Sequence, residues 1–562
     1  MDKGKRCVKV VLVLGVVLLS IKRLIADYTI DVEYAITMSY RMAMGDHLLT
    51  QMWEPHQTAA FFMAIFVKLW MVLVGSTTGI VLYLNVISLI VKGWVNVFLY
   101  RTLKRYCDSN VLLYICIFFM AVNAKHCLIL DFSNLQIYFT ILLFCSFVRY
   151  FGGQKKKRWL FIAALFLCLA ILSYPSCVLL YCICIYILTK FSEKRQLDIA
   201  LFTGICIVIG VGCLLCVCMR VGFAGIFDNL YWIVTGDATH SQNLGIKLTG
   251  YGKNIAKLGL IYGGIAFAGI AVTQIVWLLY QRNMDKKKFA APLHFYMTGF
   301  CVVLSGYSLI NILLVRFEFQ FAEMYLPVIA WGVYLLSRCN VERQRIVKIG
   351  LLLSGGNFLS TIILTNNNFY TAIPYLILGV MSALIPILQN IGGREKWAAL
   401  GIGLVIFKGI YVMMPLSVDF CNIFEAGGII KSGPSVGIVS DYMGAYIRNT
   451  EKEFWEQYIL PGDRVLVVAE NRISSIQYLY ENVSICVDST ISTPTFSEKL
   501  LEYWGRNPDK VPNVVVVECW FGDWKVEEDS WVMQWLKNDF GMEYYMDGKY
   551  QRYYFTENRQ KL

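Results

Sequence analysis

Val8-Lys9-Val10-Val11-Leu12-Val13-Leu14-Gly15-Val16-Val17-Leu18-Leu19-Ser20-Ile21-Lys22-Arg23-Leu24-Ile25 runs directly into Ala26-Asp27-Tyr28-Thr29-Ile30-Asp31-Val32-Glu33-Tyr34, joining an apolar run to a stretch dense in carboxylates and aromatics. Apolar runs of this kind recur up to residue 414. Lys/Arg clusters at 3–9, 101–105, 155–158, 190–195, 282–288, 338–348 and 394–396 punctuate nearly every second gap between them. Short basic loops stay on the cytoplasmic side of a membrane, so the clusters define a topology as well as a number of spans. The intervening gaps then face outward. Two of them, 27–58 and 220–257, are long and hold most of the polar side chains.

The chain has 562 residues, 57% hydrophobic and 16% charged, proportions that exclude one ordinary soluble domain. The formal charge of +12 divides unevenly: residues 1–414 carry 37 Lys/Arg against 17 Asp/Glu, and residues 415–562 carry 14 against 22. A basic excess confined to short loops is the positive-inside pattern, which argues against nucleic acid as a partner. The 18 cysteines lie mostly within apolar runs, without His or acidic neighbours at metal-ligand spacing. No cofactor is firmly implied; a divalent metal stays open but is not indicated. The run 8–25 lacks a small-x-small cleavage site and a second apolar run follows, so an uncleaved signal anchor with the N-terminus in the cytoplasm is expected.

Stretch 59–74 is apolar but interrupted by Lys68. As a span it would put Arg101, Lys104 and Arg105 outside and invert every later basic loop, so it is expected to lie in the outer interface. Thirteen spans remain, at 8–25, 79–100, 110–124, 132–149, 159–173, 176–190, 198–219, 258–281, 290–314, 321–337, 346–364, 370–388 and 397–414. The expected protein is a polytopic α-helical membrane protein with a membrane domain at 1–414, bearing outer loops 26–78 and 220–257, and a C-terminal extracytoplasmic α/β domain at 415–562. In that second part β-branched runs at 435–439, 464–469, 483–487 and 514–519 alternate with helical stretches near 441–458, 474–480, 495–504 and 529–537. It contains no G-x-G-x-x-G and no phosphate loop ending in Lys-Ser/Thr, which suits a cap or scaffold and puts catalysis elsewhere.

Loop 27–58 holds five carboxylates, Asp27, Asp31, Glu33, Asp46 and Glu54, two of the five histidines, His47 and His56, and several aromatics. A carboxylate just past a span end sits partly desolvated, where its pKa rises toward that of a useful base. A second acid, Asp131, stands at the mouth of the run 132–149, with Lys125 and His126 the nearest cations; it reads equally as a helix N-cap. Outward-facing cations are few: Arg41, Arg220, His240, Lys247, Lys253 and Arg316. Arg316 lies in Arg316-Phe317-Glu318-Phe319-Gln320-Phe321-Ala322-Glu323-Met324-Tyr325-Leu326-Pro327, against the positive-inside trend, as either a phosphate ligand or a salt-bridge partner of Glu318 or Glu323. Trp232 reads as an interfacial belt residue or a platform for a sugar ring.

Asp31, Glu33 and Tyr34, followed by Gly45-Asp46, Pro55 and Val74-Gly75, resemble the opening of the GT-C membrane glycosyltransferases, in the branch of the lipid A aminoarabinose transferase and the protein O-mannosyltransferases. The acidic pair is split by Val32, and one proline stands where relatives often have two. The resemblance implies a GT-C fold and transfer of a sugar from a polyprenyl-phosphate donor to a glycan, lipid or protein acceptor of a bacterial cell envelope, at the outer face of the plasma membrane. It implies Asp31 as general base with inversion at the anomeric carbon, Asp131 beside the sugar or acceptor, and a basic residue, Tyr and Pro at Arg316, Tyr325 and Pro327. Glu33 is then a second pocket acid or points away. Tyr34, Arg41, Asp46, His56, Lys125, Trp232, Arg316 and Tyr325 are the expected substrate-binding residues. A lipid-linked sugar flippase, a polysaccharide polymerase or ligase, and a non-catalytic structural protein are the alternatives. A flippase is expected to hold charges in its spans and to show internal repeats, whereas here acids gather at outer mouths.

Overall fold

The computed structural model describes residues 3–124, 128–153, 157–235, 244–280, 293–314, 324–365, 367, 369–389, 395–413, 421–469, 475–490, 497–518, 526, 529–556 and 559. Seven described helices are long and apolar enough to cross a membrane: Gln57–Val74, Ile80–Leu103, Phe132–Phe151, Arg195–Val221, Gly245–Tyr280, Val341–Leu364 and Phe369–Gln389. Four shorter apolar helices, Ser109–Ala121, Pro175–Phe191, Thr298–Ile310 and Ala398–Tyr411, accompany them. The protein is thus a polytopic α-helical membrane protein, but length and composition return seven long spans where thirteen were expected.

The difference has local causes. Helix Lys3–Ile25 is long enough but carries basic residues near both ends. Several expected spans are helices of only 13 residues, about 20 Å against a hydrocarbon core of about 30 Å. Gln57–Val74, expected in the interface, is by composition one of the seven, because a single Lys68 does not interrupt its helix. Stretch 220–257, expected as a long loop, is largely two helices, Phe223–Thr235 and Leu244–Tyr280, the second of 37 residues.

The end of Ser109–Ala121 shows how a short helix is tolerated. Non-helical backbone at membrane depth needs partners from protein, since no water is at hand. Lys92, fully buried on Ile80–Leu103, donates to the carbonyls of Met120 and Val122 and to Asn123 Oδ1. Arg23 donates to the Ala121 carbonyl at 2.8 Å. Cations at a helix C-terminus also meet the negative end of its dipole. Asn134 then holds the following segment, donating to the Ile129 carbonyl at 2.9 Å and accepting from the Ala124 amide at 3.2 Å.

Beyond the last apolar helix lies a five-stranded sheet in the order Ser484–Ile485, Arg464–Val468, Val514–Glu518, Gln551–Thr556, Met542–Asp547. Its first three strands are parallel and the last two antiparallel. Val465–Val468 and Val514–Val517 are buried throughout, the pattern of parallel strands covered on both faces. Helices Tyr442–Tyr458, Ser497–Arg506 and Trp531–Asn538 accompany it. Of the β-branched run expected at 435–439 only Val439 falls in a strand, Val439–Asp441, which pairs with the unexpected strand Ala426–Ile429 outside the main sheet. Two strands of the main sheet were not expected, Met542–Asp547 and Gln551–Thr556.

The short helix Ser475–Leu479, which follows Arg464–Val468 in the chain, rests on helix Ile30–Met44. Thr37 Oγ1 donates to the Ser475 carbonyl at 3.0 Å, and the Ile476 amide donates to Glu33 Oε2 at 3.4 Å. The α/β domain thus packs directly on the first stretch after the first helix. Replacing Lys92 by Met would take the donor from the Val122 carbonyl and Asn123 Oδ1 and leave the Met120 carbonyl with Arg23 at 3.4 Å, at about 1–3 kcal/mol for each buried group left without a donor. Lys92→Met should therefore lower the denaturation midpoint of the purified protein in detergent; an unchanged midpoint would mean that those carbonyls have another donor.

Candidate functional site

Thr29 is extended and Ile30 begins a helix that puts Asp31 and Glu33 in its first turn, where carboxylates favour the positive end of the helix dipole. The helix stops at Gly45, whose φ of +109° is a conformation that favours glycine. This turn brings Asp46 back on Arg41: the Asp46 amide donates to the Arg41 carbonyl at 3.0 Å, and Arg41 Nε to Asp46 Oδ2 at 2.9 Å. The Gly45-Asp46 pair therefore has a mechanical meaning, a helix stop with its own counter-ion.

Two buried ion-pair networks engage most of the loop's charges. In the first, Arg448 from helix Tyr442–Tyr458 lies 3.1 Å from Asp27 Oδ1 and 3.2 Å from Glu33 Oε1, with its guanidinium 4.4 Å from the Tyr28 ring centre. Ser440 Oγ and the Tyr28 amide also donate to Asp27, at 2.6 and 2.8 Å. Burial pushes the Asp27 carboxyl up from its ordinary pKa, and Arg448 pulls it back down. In the second, Arg41 donates to Asp46 and, at 2.8 Å, to Glu54, while Lys510 reaches Asp46 at 2.6 Å. Burial likewise pushes Glu54 up, against the pull of Arg41. Arg41 and Asp46, expected to bind substrate, and Glu33, expected either in the pocket or pointing away, join the loop to the α/β domain.

A third grouping is aromatic. Tyr34, one turn after Asp31, meets the His56 ring edge-on at 6.4 Å. His56 stacks on Phe132 at 4.1 Å and on Tyr174 at 5.0 Å, and Phe132 and Tyr174 stack at 5.3 Å. Tyr174 comes from the Ser173-Tyr174-Pro175 turn, and its hydroxyl accepts from Asn367 Nδ2 at 3.1 Å. Asp131 immediately precedes Phe132 and caps helix Phe132–Phe151, its Oδ1 accepting from the Asn134 amide at 2.8 Å. Asp31 is half-buried. Asp31, Tyr34, His56 and Asp131 thus lie along one path, from the start of one helix to the start of another.

The other expected residues lie elsewhere. Trp232 stacks on Trp53 at 6.2 Å, and Tyr503 meets Trp53 edge-on at 5.3 Å, so Trp232 supports the second network. Tyr325 lines an apolar cavity of about 120 Å³ with Phe118, Leu304, Trp331, Leu384 and Ile402. Lys247 donates to the Ile363 and Thr365 carbonyls. Lys125 and Arg316 lie outside the described residues. Sequence reasoning missed Arg448, Tyr174 and Phe132. Tyr174 had a local signal, an aromatic held in a proline turn; Arg448 had none. Among the described residues no group of three His, Cys, Asp or Glu is placed to hold a metal.

No family model matches the chain, and no curated protein matches it. Among solved structures it is similar to the Archaeoglobus fulgidus oligosaccharyltransferase in complex with zinc and sulfate, at 13% identity and a TM-score of 0.44, over 90% of this chain and 68% of that one. It is also similar to AglB, the oligosaccharyltransferase of the same organism, with an inhibitory peptide and a dolichol-phosphate, at 11% and 0.43 over 92% and 70%. A third similarity is to the A. fulgidus enzyme tethered to an acceptor peptide containing the NVT sequon, at 10% and 0.44 over 90% and 68%. Likeness of this size decides neither fold nor activity.

Replacing Arg448 by Met would take the cation away from two buried carboxylates, a change that costs about 3–5 kcal/mol. Arg448→Met should destabilise the protein and expose the α/β domain to protease. Asp27→Asn with Glu33→Gln in the same chain should restore most of the loss, which denaturant titration of the three variants checks.

Proposed function

We propose that the chain is a membrane glycosyltransferase. It transfers a sugar from a polyprenyl-phosphate donor to a glycan, lipid or protein acceptor on the side of the membrane that carries the α/β domain, with Asp31 as general base. The topology proposed with it has thirteen crossings, a cytoplasmic N-terminus and the helix at 59–74 in the outer interface. The observation that carries the reading is the path Asp31–Tyr34–His56–Phe132, which ends beside Asp131 and runs from the start of helix Ile30–Met44 to the start of helix Phe132–Phe151. A carboxylate on a helix held in place by packed rings is suited to take a hydroxyl proton.

The acceptor oxygen attacks the anomeric carbon as its proton passes to the Asp31 carboxylate. The bond from that carbon to the phosphate oxygen breaks, and the lipid phosphate leaves on the opposite face, inverting the centre. Asp131 orients sugar or acceptor hydroxyls, and the apolar cavity beside Tyr325 suits part of the donor's hydrocarbon chain. Arg316 and Lys125 are the proposed phosphate ligands. The resemblance of the first loop to the aminoarabinose and protein O-mannosyl branch supports the donor class. The A. fulgidus enzyme has been seen with a dolichol-phosphate and with an acceptor peptide. A flippase would keep charges in its spans for the cargo, yet Lys92 and Arg23 are engaged on backbone carbonyls.

Asp31→Asn keeps shape and hydrogen bonding and removes the proton acceptor. It should lower kcat by about 10²–10⁴-fold in a folded protein that still binds donor. Transfer by purified protein from defined polyprenyl-phosphate sugars, with products weighed by mass spectrometry, reads this directly. A kcat near the wild-type value sinks the assignment.

A further inference from the structure

The α/β domain exposes large apolar side chains close to the membrane helices. Phe424 is 86% exposed, Tyr442 72%, Ile429 59% and Met443 51%. They cluster on two adjoining elements, the segment ending in strand Ala426–Ile429 and the start of helix Tyr442–Tyr458, which follows its partner strand Val439–Asp441.

Both elements are tied to helix ends. Ala26, one residue past helix Lys3–Ile25, bridges Val439, and the Asp27 amide donates to the Val439 carbonyl at 3.0 Å. On the other side the Ile423 amide donates to the carbonyl of Tyr411, the last residue of helix Glu395–Tyr411, at 2.8 Å. Phe407 stacks on Tyr411 at 6.1 Å, and Tyr411 meets Phe424 at 6.4 Å, so an aromatic column continues out of that helix into the domain. The first helix also carries an exposed apolar stripe, Val11, Leu14, Leu18, Ile21 and Ile25, at the spacing of one helix face, which ends at Ala26. The exposed patch is therefore continuous with surface that faces lipid.

We propose that Phe424, Ile429, Tyr442 and Met443 insert into the headgroup region of the leaflet on the domain's side, so that the α/β domain rests on the bilayer through an aromatic anchor. Aromatic rings with one wet and one apolar end favour this depth. Lys431 is exposed beside Ile429, and Lys549 lies 4.7 Å from the Tyr446 ring centre, so cations flank the patch at phosphate level. Residues 415–562 carry 14 Lys/Arg against 22 Asp/Glu, so net charge does not draw the domain to an anionic surface, and apolar insertion has to hold it. The anchor shares a helix with Arg448, which fixes the height at which that guanidinium meets Asp27 and Glu33.

The test uses the full chain in phospholipid nanodiscs with a benzophenone amino acid in place of Phe424 or of Tyr442. Leu18 on the lipid-facing stripe is the positive control, and Glu456, more than three turns beyond Tyr442 on the same helix, the negative one. After illumination, intact mass should show lipid adducts at 424 and 442 comparable with Leu18 and on the order of tenfold above Glu456, as interfacial depth requires. Adducts at 424 and 442 no higher than at Glu456, with Leu18 labelled, overturn the proposal. So does cross-linking of either position to a second protein chain, which would make the patch a protein interface.

Discussion

A buried guanidinium between two carboxylates governs how the parts of this protein sit together. Arg448 carries its charge into contact with Asp27 and Glu33, which flank the turn where the first helix gives way to the next. None of the three is stable alone in that place, because an isolated buried charge costs far more than a lost hydrogen bond. The trio therefore forms only when helix Tyr442–Tyr458 lies over the loop. The second network, around Arg41, Asp46, Glu54 and Lys510, has the same dependence at the other end of helix Ile30–Met44. Held at both ends, that helix is a rigid shelf, and Asp31 and Tyr34 take their directions from it.

Such fixing suits chemistry in which a proton acceptor has to meet a reacting oxygen within a few tenths of an ångström. It also gives the α/β domain a mechanical part. Its polar contacts with the membrane portion run through loop 27–58 at many points, among them the Trp53 amide on the Asp488 carbonyl and Gln51 on Asp509. A domain tied this closely leaves the loop little room to fold differently.

Much of the layout was legible in local pattern, because helices and buried strands follow from hydrophobic periodicity. The apolar runs became helices, and three of the four expected tail strands entered the main sheet. What failed was long-range or competitive. Glu33 read either as a pocket acid or as pointing away, and its ion pair with Arg448, 415 residues on, is one that no local pattern spans. Stretch 220–257 looked like a loop because Lys247, Lys253 and Lys257 interrupt its apolar character, yet the helix runs through all three. The hairpin of Met542–Asp547 and Gln551–Thr556 was overlooked although Asp547-Gly548 is a turn signal between tyrosine-rich strands. Within the candidate site, Asp31, Tyr34, His56 and Asp131 were individually readable; their alignment along one aromatic path was not, since Phe132 and Tyr174 complete it from separate hairpins of the bundle.

The 13-residue length of Ser109–Ala121 has a consequence for where a lipid-borne group can be met. That helix falls about 10 Å short of the hydrocarbon thickness, and at its end the Val122 carbonyl and the Asn123 side chain find their donor within the protein, at Lys92. Lifting a long isoprenoid toward the water costs about 0.8 kcal/mol for every methylene withdrawn. Polar groups that protein partners hold at a short helix's end, as Lys92 holds the Met120 and Val122 carbonyls, would lower that cost for a lipid-borne headgroup met there.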